Sequence, residues 1–239
     1  MTMRLNSPVV LIGRMYHPDG EQRLQDQVPV EILEQPTPEQ IKTAMRTAVG
    51  AFVRYPNKLT AEALSEAENL RIISTSGRGT DAIDIKAASE RGIAVVNHPG
   101  FGTIPVTEHA IGVMLALVKN IHPLNRLTPA GEGWPAQKQY TRGELREKTL
   151  GIIGLGTIGE EVARCCALAF KMKVIVYDPY ISADKAERVG AELINDLDRI
   201  WRESDMGSLH AELNDETRGM VGEPQLQAMQ DHAFLINTA

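Results

Sequence analysis

Short apolar runs rich in β-branched residues alternate with segments of helical periodicity over the first hundred positions. The predicted strands are Val9–Gly13, Val30–Leu33, Ala51–Tyr55, Arg71–Ser74 and Ile93–Val96. Pro38 and Thr60 open two of the intervening helices, because proline suits the first helical turn and threonine caps it. A further helix is predicted from Asp84 to Arg91, with Gly92 as its left-handed C-cap. Strict alternation of strand and helix predicts a parallel sheet covered on both faces.

A longer apolar segment follows the fifth strand. Thr107 is expected to cap its helix, whose apolar positions Ile111, Met114, Leu115 and Val118 share one face. Between Asn120 and Lys148 the periodicity fades, and prolines and glycines predict a long connection. Trp134, within it, either anchors a subunit interface or packs the connection onto its own domain.

A second alternation of strands and helices begins at Leu150. Its predicted strands are Gly151–Ile153, Val174–Tyr177, Met206–His210 and Phe234–Asn237, and one helix runs from a Ser182 cap to Gly190. The pattern predicts two α/β domains, residues 1–105 and residues 106–239.

Composition narrows the possible partners. The chain has 239 residues, 43% of them hydrophobic, and a formal net charge of -6 without a long basic run. Nucleic acid is therefore not an expected partner. The sequence shows no signal-peptide pattern and no membrane-spanning stretch, so a cytoplasmic protein without a membrane partner is expected. Adjacent Cys165 and Cys166 suit neither a disulfide nor a metal site, and both are expected to be reduced and buried.

A glycine motif carries the most specific chemistry. It reads Gly154-Leu155-Gly156-Thr157-Ile158-Gly159, directly after a predicted strand and at the start of a helix. Gly154 permits the tight turn, Gly156 lets the backbone approach a pyrophosphate, and Gly159 lets the helix pack closely. The unpaired N–H groups of the helix start, at Thr157 and Ile158, would face the phosphates.

An acid lies where a dinucleotide site requires one. Asp178 follows Gly159 by 19 positions, at the end of the next predicted strand, where a carboxylate can bind the adenosine ribose hydroxyls. No arginine follows to pair with a 2′-phosphate, so NAD is favoured over NADP. Two alternatives stay open here. The glycines could merely shape a turn, or the loop could hold another dinucleotide or an S-adenosyl group.

Several motifs in order make the chain resemble one family. They are Gly77-Arg78-Gly79-Thr80-Asp81, Asn97-His98-Pro99-Gly100, Val106-Thr107-Glu108-His109, Lys148-Thr149-Leu150-Gly151 with the glycine loop, Tyr177-Asp178-Pro179, Ser208-Leu209-His210, Glu216-Thr217-Arg218-Gly219 and Ile236-Asn237-Thr238-Ala239. From about Arg71 onward the chain resembles the D-isomer-specific 2-hydroxyacid dehydrogenases, a family that includes phosphoglycerate dehydrogenase and hydroxypyruvate–glyoxylate reductases.

The resemblance implies a flavodoxin-like substrate domain and an NAD-binding Rossmann domain that is incomplete at its C-terminus. It implies an active site in a cleft between the domains, with Arg78 and Gly79 in a loop that binds the carboxylate of a small 2-hydroxy or 2-keto acid. Two roles stay open for Arg78: it either contacts the substrate or the cofactor, or it is a solvated surface residue. Thr238 and Ala239 would contact NAD, and a homodimer would form through the cofactor domain.

Several positions depart from the family pattern or carry no catalytic role in it. Gly102, Ala211 and Glu212 replace the usual Asn, small polar residue and Pro, which leaves the substrate open. Glu108 and His109 are expected to be a helix-start acid and a packed histidine. His210 is likewise interpreted as structural.

The family's catalytic Arg, Glu and His would all follow Ala239, so no catalytic residue is named within the chain. The sequence is interpreted as a C-terminally truncated fragment of an NAD-dependent oxidoreductase of the CH–OH group, inactive by itself. An alternative hypothesis is a non-catalytic, NAD-sensing scaffold resembling a corepressor. A third is an S-adenosyl-dependent transferase, which S-adenosylmethionine but not NAD would protect.

Overall fold

A computed structural model describes residues 7–140 and 143–239, with Gln137 described by its backbone only. The chain divides into two compact units, Met1–Phe101 and Gly102–Ala239. Each unit has a parallel five-stranded sheet and a hydrophobic core of its own.

The first unit alternates strands and helices throughout. Its strands are β1 (Val9–Ile12), β2 (Val30–Leu33), β3 (Gly50–Val53), β4 (Ile72–Thr75) and β5 (Ala94–Val96), and its helices are α1 (Pro18–Gln25), α2 (Pro38–Met45), α3 (Ala61–Ser65) and α4 (Ile85–Glu90). The sheet order β2-β1-β3-β4-β5 is that of flavodoxin-like folds, as expected.

Side-chain caps explain where these helices begin. Thr37 and Gln40 form a reciprocal capping box at α2, and the hydroxyl of Thr60 accepts a hydrogen bond from the N–H of Ala63 at α3. The carboxylate of Asp84 accepts from the N–H of Ala87 at 2.9 Å. Gly92 follows α4 with a φ of +67°, the left-handed conformation that its sequence position predicts.

The second unit has five parallel strands in the order β10-β9-β6-β7-β8. The strands are β6 (Thr149–Ile153), β7 (Lys173–Tyr177), β8 (Ala191–Ile194), β9 (Met206–Leu209) and β10 (Phe234–Asn237). The helices are α5 (Thr103–Val118), α6 (Ile121–Leu127), α7 (Gly133–Ala136), α8 (Thr157–Leu168), α9 (Ala183–Glu187), α10 (Asp198–Glu203) and α11 (Glu223–Ala228), with a 3-10 turn at Gln137–Gln139. The order reverses between β9 and β6, as in a Rossmann fold.

The predicted start of α5 was wrong by one turn. Gly102 is the N-cap, so Thr107 lies within the helix and caps nothing. Pro105 is compatible with this earlier start, because the first N–H groups of a helix have no intrahelical partner. The buried side chains are those of Thr107, Ala110, Met114 and Val118, whereas Ile111 and Leu115 are only half-buried.

The connection between Asn120 and Lys148 is more regular than predicted, since it contains α6 and α7; its residues 141 and 142 lie outside the described part. Trp134 on α7 is 81% exposed, so it does not pack onto its own unit. Both cysteines were expected to be buried, but Cys165 is only half-buried. Cys166 is buried, and burial, with a smaller effect of Cys165, raises the pKa of its thiol to about 12.

Candidate dinucleotide-binding site

The ends of four strands bring three predicted cofactor residues of the second unit, together with His210, to one edge of its sheet. Gly154 follows β6, Asp178 follows β7, His210 follows β9 and Thr238 follows β10. All four strands are parallel, so these residues share the carboxyl edge. Ligands of open α/β sheets bind at this edge, at the point where the strand order reverses. Here that point lies between β6 and β9.

Close packing explains two of the glycines. Gly154 has a φ of +91°, and a Cβ there would lie 2.7 Å from the backbone nitrogen of Ala211. Its N–H donates to the carbonyl of Tyr177 at 3.0 Å, which ties the turn after β6 to the end of β7. A Cβ on Gly159 would lie only 2.1 Å from the carbonyl oxygen of Gly154. A larger residue at Gly154 would collide with the segment after β9, and one at Gly159 would push the start of α8 away from the glycine loop.

The start of α8 is suited to an anion. Gly156 is its N-cap and provides no side-chain hydrogen bond, so the N–H groups of the first turn, at Thr157 and Ile158, keep their donors for a ligand. The only acid in this turn, Glu160, is paired with Arg164 at 3.1 Å and lies 4.0 Å from the ammonium of Lys185. Its negative charge is therefore partly offset where a pyrophosphate would bind.

Asp178 is held beside this loop by two backbone groups. Its Oδ2 accepts a hydrogen bond from the N–H of Leu155 at 2.8 Å, and its Oδ1 accepts from the N–H of Tyr180 at 2.9 Å. Each carboxylate oxygen retains a second lone pair, so the half-buried group can still accept from a ribose hydroxyl. The geometry agrees with the spacing argument for an adenosine site.

A contact between loops near this acid was not foreseen from the sequence. The hydroxyl of Tyr180 donates to the carboxylate of Glu216, and this bond and the nearby charge raise the pKa of the phenol. Glu216 lies in a turn organised by Asn214, whose Oδ1 accepts from the N–H groups of Glu216 and Thr217. The bond links the loops that follow β7 and β9. The Asn-x-Glu-Thr turn was visible in the sequence, but its partner was not.

The other side of the loop combines a half-buried histidine and an unpartnered hydroxyl. Burial lowers the pKa of His210 to about 4, so its ring is neutral near pH 7, and its Nε2 lies 2.9 Å from the hydroxyl of Ser208. Thr238 has a buried Oγ1 without a partner in the described part of the protein. The N–H of Ala239 donates to the Oδ1 of Asn237 at 3.1 Å. On this side of the loop, Thr238 therefore has a hydroxyl available to a ligand.

These residues fit a dinucleotide. The glycine positions leave no space for a Cβ, the helix start offers free donors, and an acid and an unpartnered buried hydroxyl lie on opposite sides of them. Within residues 7–140 and 143–239 no cluster of three His, Cys, Asp or Glu side chains is arranged to hold a metal ion.

The loop predicted to bind substrate follows β4 in the first unit. Arg78 and Gly79 are exposed, and the carbonyl of Arg78 accepts from the Nδ2 of Asn97 at 2.9 Å. The N–H of His98 donates to the carbonyl of Gly77 at 2.9 Å, so the segment after β5 holds the loop in place. The role of Arg78 and Gly79 in binding a carboxylate stays a prediction.

Sequence reasoning missed a second cluster at this edge of the first unit. Tyr16, after β1, stacks on Phe101 with ring centroids 6.0 Å apart. The guanidinium of Arg54, after β3, lies 4.2 Å from the centroid of Tyr16. The sequence signal that could have predicted this cluster is the position of Tyr16 and Arg54, each of which soon follows a strand.

One expectation concerned two polar residues of α5, and another concerned membrane-spanning helices. Glu108 and His109 are both exposed, because the buried face of α5 is formed by Thr107, Ala110 and Met114. The expectation of a packed histidine was therefore wrong, and Glu108 lies beyond the first turn of the helix instead of at its start. No single helix in the described ranges is long and apolar enough to span a membrane. The pair Thr103–Val118 and Ile121–Leu127, bent by 63°, meets the criteria of length and composition together.

Comparisons with known proteins agree with the nucleotide-binding fold. Residues 111–239 match the family described as D-isomer specific 2-hydroxyacid dehydrogenase, NAD binding domain. The D-3-phosphoglycerate dehydrogenase of Archaeoglobus fulgidus is 43% identical over 187 residues, which cover 78% of this chain and 35% of that protein. The glyoxylate reductase of Aeropyrum pernix is 32% identical, with 98% and 72% covered. The structure of Aquifex aeolicus D-lactate dehydrogenase with NAD and lactic acid has a TM-score of 0.87 at 30% identity, with 97% and 68% covered.

The second unit thus belongs to the class of NAD-binding Rossmann domains. The chain is a member of the D-isomer-specific 2-hydroxyacid dehydrogenase family. It spans 35% to 43% of the length of the phosphoglycerate dehydrogenases from Archaeoglobus fulgidus and Methanocaldococcus jannaschii.

Proposed function

We propose that this chain provides the NAD site and part of the substrate site of an oxidoreductase that acts on the CH–OH group of a small D-2-hydroxy acid. The observation that carries the proposal is the glycine loop, with its uncapped helix start and with Asp178 bonded to the N–H of Leu155 at 2.8 Å. Family membership supports it. The physiological setting that we propose is the cytoplasm.

Each residue of the loop has a defined task in holding the cofactor. The N–H groups of Gly156, Thr157 and Ile158 would bind the pyrophosphate, while Gly154 lets the turn lie against Ala211 and Gly159 keeps the start of α8 close to that turn. Asp178 accepts from the adenosine ribose and repels a 2′-phosphate. Bound NAD supplies a nicotinamide ring that exchanges a hydride with the α-carbon of the substrate.

The substrate carboxylate is assigned to the loop at Arg78 and Gly79, whose backbone is held by Asn97 and His98. The proposed reaction also needs a proton donor near neutral pH. Half-buried His210 is unsuited to this task, because its pKa of about 4 keeps it unprotonated near neutral pH. Among the described residues of the second unit, His210 is the one histidine that follows a strand at the nucleotide-binding edge, and no other proton donor is proposed there, so we expect the 239-residue chain to bind NAD without turning over substrate.

Titration calorimetry with NAD and NADP tests the cofactor assignment. NAD should bind at least tenfold more tightly than NADP, because the carboxylate of Asp178 faces a 2′-phosphate only in NADP. Asp178→Asn should reduce this preference, whereas Asp231→Asn, at an exposed acid preceding β10, should leave it unchanged. Equal binding of both dinucleotides to the original chain would refute the assignment.

An assay of NADH oxidation with glyoxylate, hydroxypyruvate and pyruvate tests the expectation that the chain does not turn over substrate. For the 239-residue chain, no rate above the buffer control is expected with any of the three acids. Turnover would show that a proton donor exists within the chain. NAD-dependent assembly without turnover would instead favour the NAD-sensing scaffold.

A homodimer formed through the second unit is part of the proposal. Ile104 on α5 is 70% exposed, Ile121 on α6 is 50% exposed and Trp134 on α7 is 81% exposed. Large apolar side chains of this kind favour an interface. Light scattering after size-exclusion chromatography should show a dimer that Trp134→Asp disrupts. Leu226→Asp, at a 51% exposed residue of α11, is the matched control, and an equal effect of both variants would contradict the assignment.

A further inference from the structure

Two threonines of the second unit have buried hydroxyls without hydrogen-bond partners. Among the described residues, four buried side-chain atoms lack a partner, and two of them are Thr107 Oγ1 and Thr238 Oγ1. Thr107 is only 6% exposed. An unpaired buried hydroxyl is unfavourable, so such a group is expected to meet a partner in some functional state. Thr107 is neither a helix cap nor one of the cofactor residues named from the sequence.

The direction of α5 places Thr107 at the nucleotide-binding edge. The last turn of the helix contacts the segment before β6: the N–H of Gly143 donates to Val118 O at 3.1 Å, and Lys119 Nζ donates to Gly143 O at 2.8 Å. This end of α5 therefore lies at the amino edge of the sheet. Thr107 lies 11 residues earlier, about 16 Å away along the axis, which matches the length of a five-residue strand. Thr107 is thus near the carboxyl edge.

The sheet order decides which half of NAD this edge position faces. Asp178, the adenosine residue, follows β7 on one side of β6. The strands β9 and β10 lie on the other side of β6, so the nicotinamide half of a bound NAD would extend over them from the pyrophosphate. Helix α5 packs against β10, and Ala110 shares a core cluster with Ile236 of that strand. Thr107 and Ala110 are on the same buried face of α5.

We infer that the hydroxyl of Thr107 is a hydrogen-bonding contact for the carboxamide of bound nicotinamide. The inference rests on the proposed binding of NAD. A threonine hydroxyl both donates and accepts, and the carboxamide offers an NH2 donor and a carbonyl acceptor, so the chemistry of the two groups matches. The hydroxyl of Thr238, unpartnered beside the same strand, provides a second polar group for this half of the cofactor.

Paired titrations with NAD and ADP-ribose test the inference, because ADP-ribose lacks the nicotinamide ring. Thr107→Val keeps the shape of the side chain and removes its hydroxyl. It should weaken NAD binding roughly three- to tenfold, the loss of one hydrogen bond, and leave ADP-ribose binding unchanged. Thr107→Ser, which keeps a hydroxyl, should retain most of the NAD affinity. Unchanged NAD binding in Thr107→Val, or an equal loss for both ligands, would overturn the inference.

The unfolding temperature of the ligand-free protein separates a cofactor contact from a structural role. Removing an unpartnered buried hydroxyl should leave the Tm of Thr107→Val equal to or above that of the original chain. A lower Tm would show that the hydroxyl has a structural partner and would count against the inference. Failure of the original chain to bind either ligand would instead refute the proposed NAD site itself.

Discussion

The contact between Gly159 and Gly154 allows the most detailed prediction. In Gly159→Ala the new Cβ would lie 2.1 Å from the Gly154 carbonyl oxygen, a distance that real side chains do not show. The helix start must move by about 1 Å to relieve this contact. Backbone atoms are involved on one side of the clash, so no rotamer change can absorb it.

The expected cost is about 2 kcal/mol in the free energy of unfolding, which is typical of overpacking in a rigid site. This cost corresponds to a fall in Tm of roughly 4–8 °C. The displaced helix start also carries the pyrophosphate donors, so NAD affinity should fall roughly tenfold or more. Urea unfolding and NAD titration measure the two effects separately.

Gly112→Ala is the matched control. Gly112 lies within α5 of the same unit, and a Cβ there would have no atom within 4 Å. Alanine has the higher helix propensity, so this variant should be more stable by roughly 0.5–1 kcal/mol and bind NAD normally. The reasoning would be refuted if Gly159→Ala unfolded and bound NAD as the original chain does.

Three further outcomes concern stability. Burial lowers the pKa of His210 from 6.5 to about 4, so below pH 6.5 the unfolded chain binds a proton that the folded chain does not. The free energy of unfolding, measured with urea, should therefore fall by up to about 3 kcal/mol between pH 6.5 and 4. The same fall with pH in His210→Asn would contradict this. Burial opposes the charge of Asp205, but bonds from the Thr149 N–H, His232 and Lys148 outweigh it and lower its pKa. Its contribution is therefore present above pH 3.8 and lost as the pH falls further, and Asp205→Asn should cost roughly 2 kcal/mol near neutral pH; equal stability of the variant would count against this role. Thr37→Ala removes the capping box of α2 and should lower the free energy of unfolding by about 1 kcal/mol, and unchanged urea unfolding would disagree.

Local sequence rules predicted the glycine loop and nine of the ten strands among the described residues, but they missed β8 (Ala191–Ile194). The run Phe234–Asn237 is a strand with those bounds, and Gly154 and Gly159 occupy positions that no larger residue fits. These features depend on short-range chemistry, namely apolar pattern and backbone space. The same rules could identify Asp178 from its spacing, but not its bond to Leu155.

Features that depend on long-range packing were missed. Thr107 resembled a cap because it precedes an acid and an apolar run, yet the helix begins at Thr103 and buries that side chain. The bond between Tyr180 and Glu216 joins residues 36 positions apart, so no local pattern predicts it. The burial that lowers the pKa of His210 likewise depends on the folded sheet.

A crystal structure of the chain with NAD is the most direct test of the central claim. We expect the pyrophosphate at the N–H groups of Gly156, Thr157 and Ile158, and the adenosine ribose within hydrogen-bond distance of Asp178. The nicotinamide half should lie on the side of β9 and β10, near Thr238. A dinucleotide bound away from the glycine loop, or with the adenosine ribose on the Thr238 side, would contradict the account.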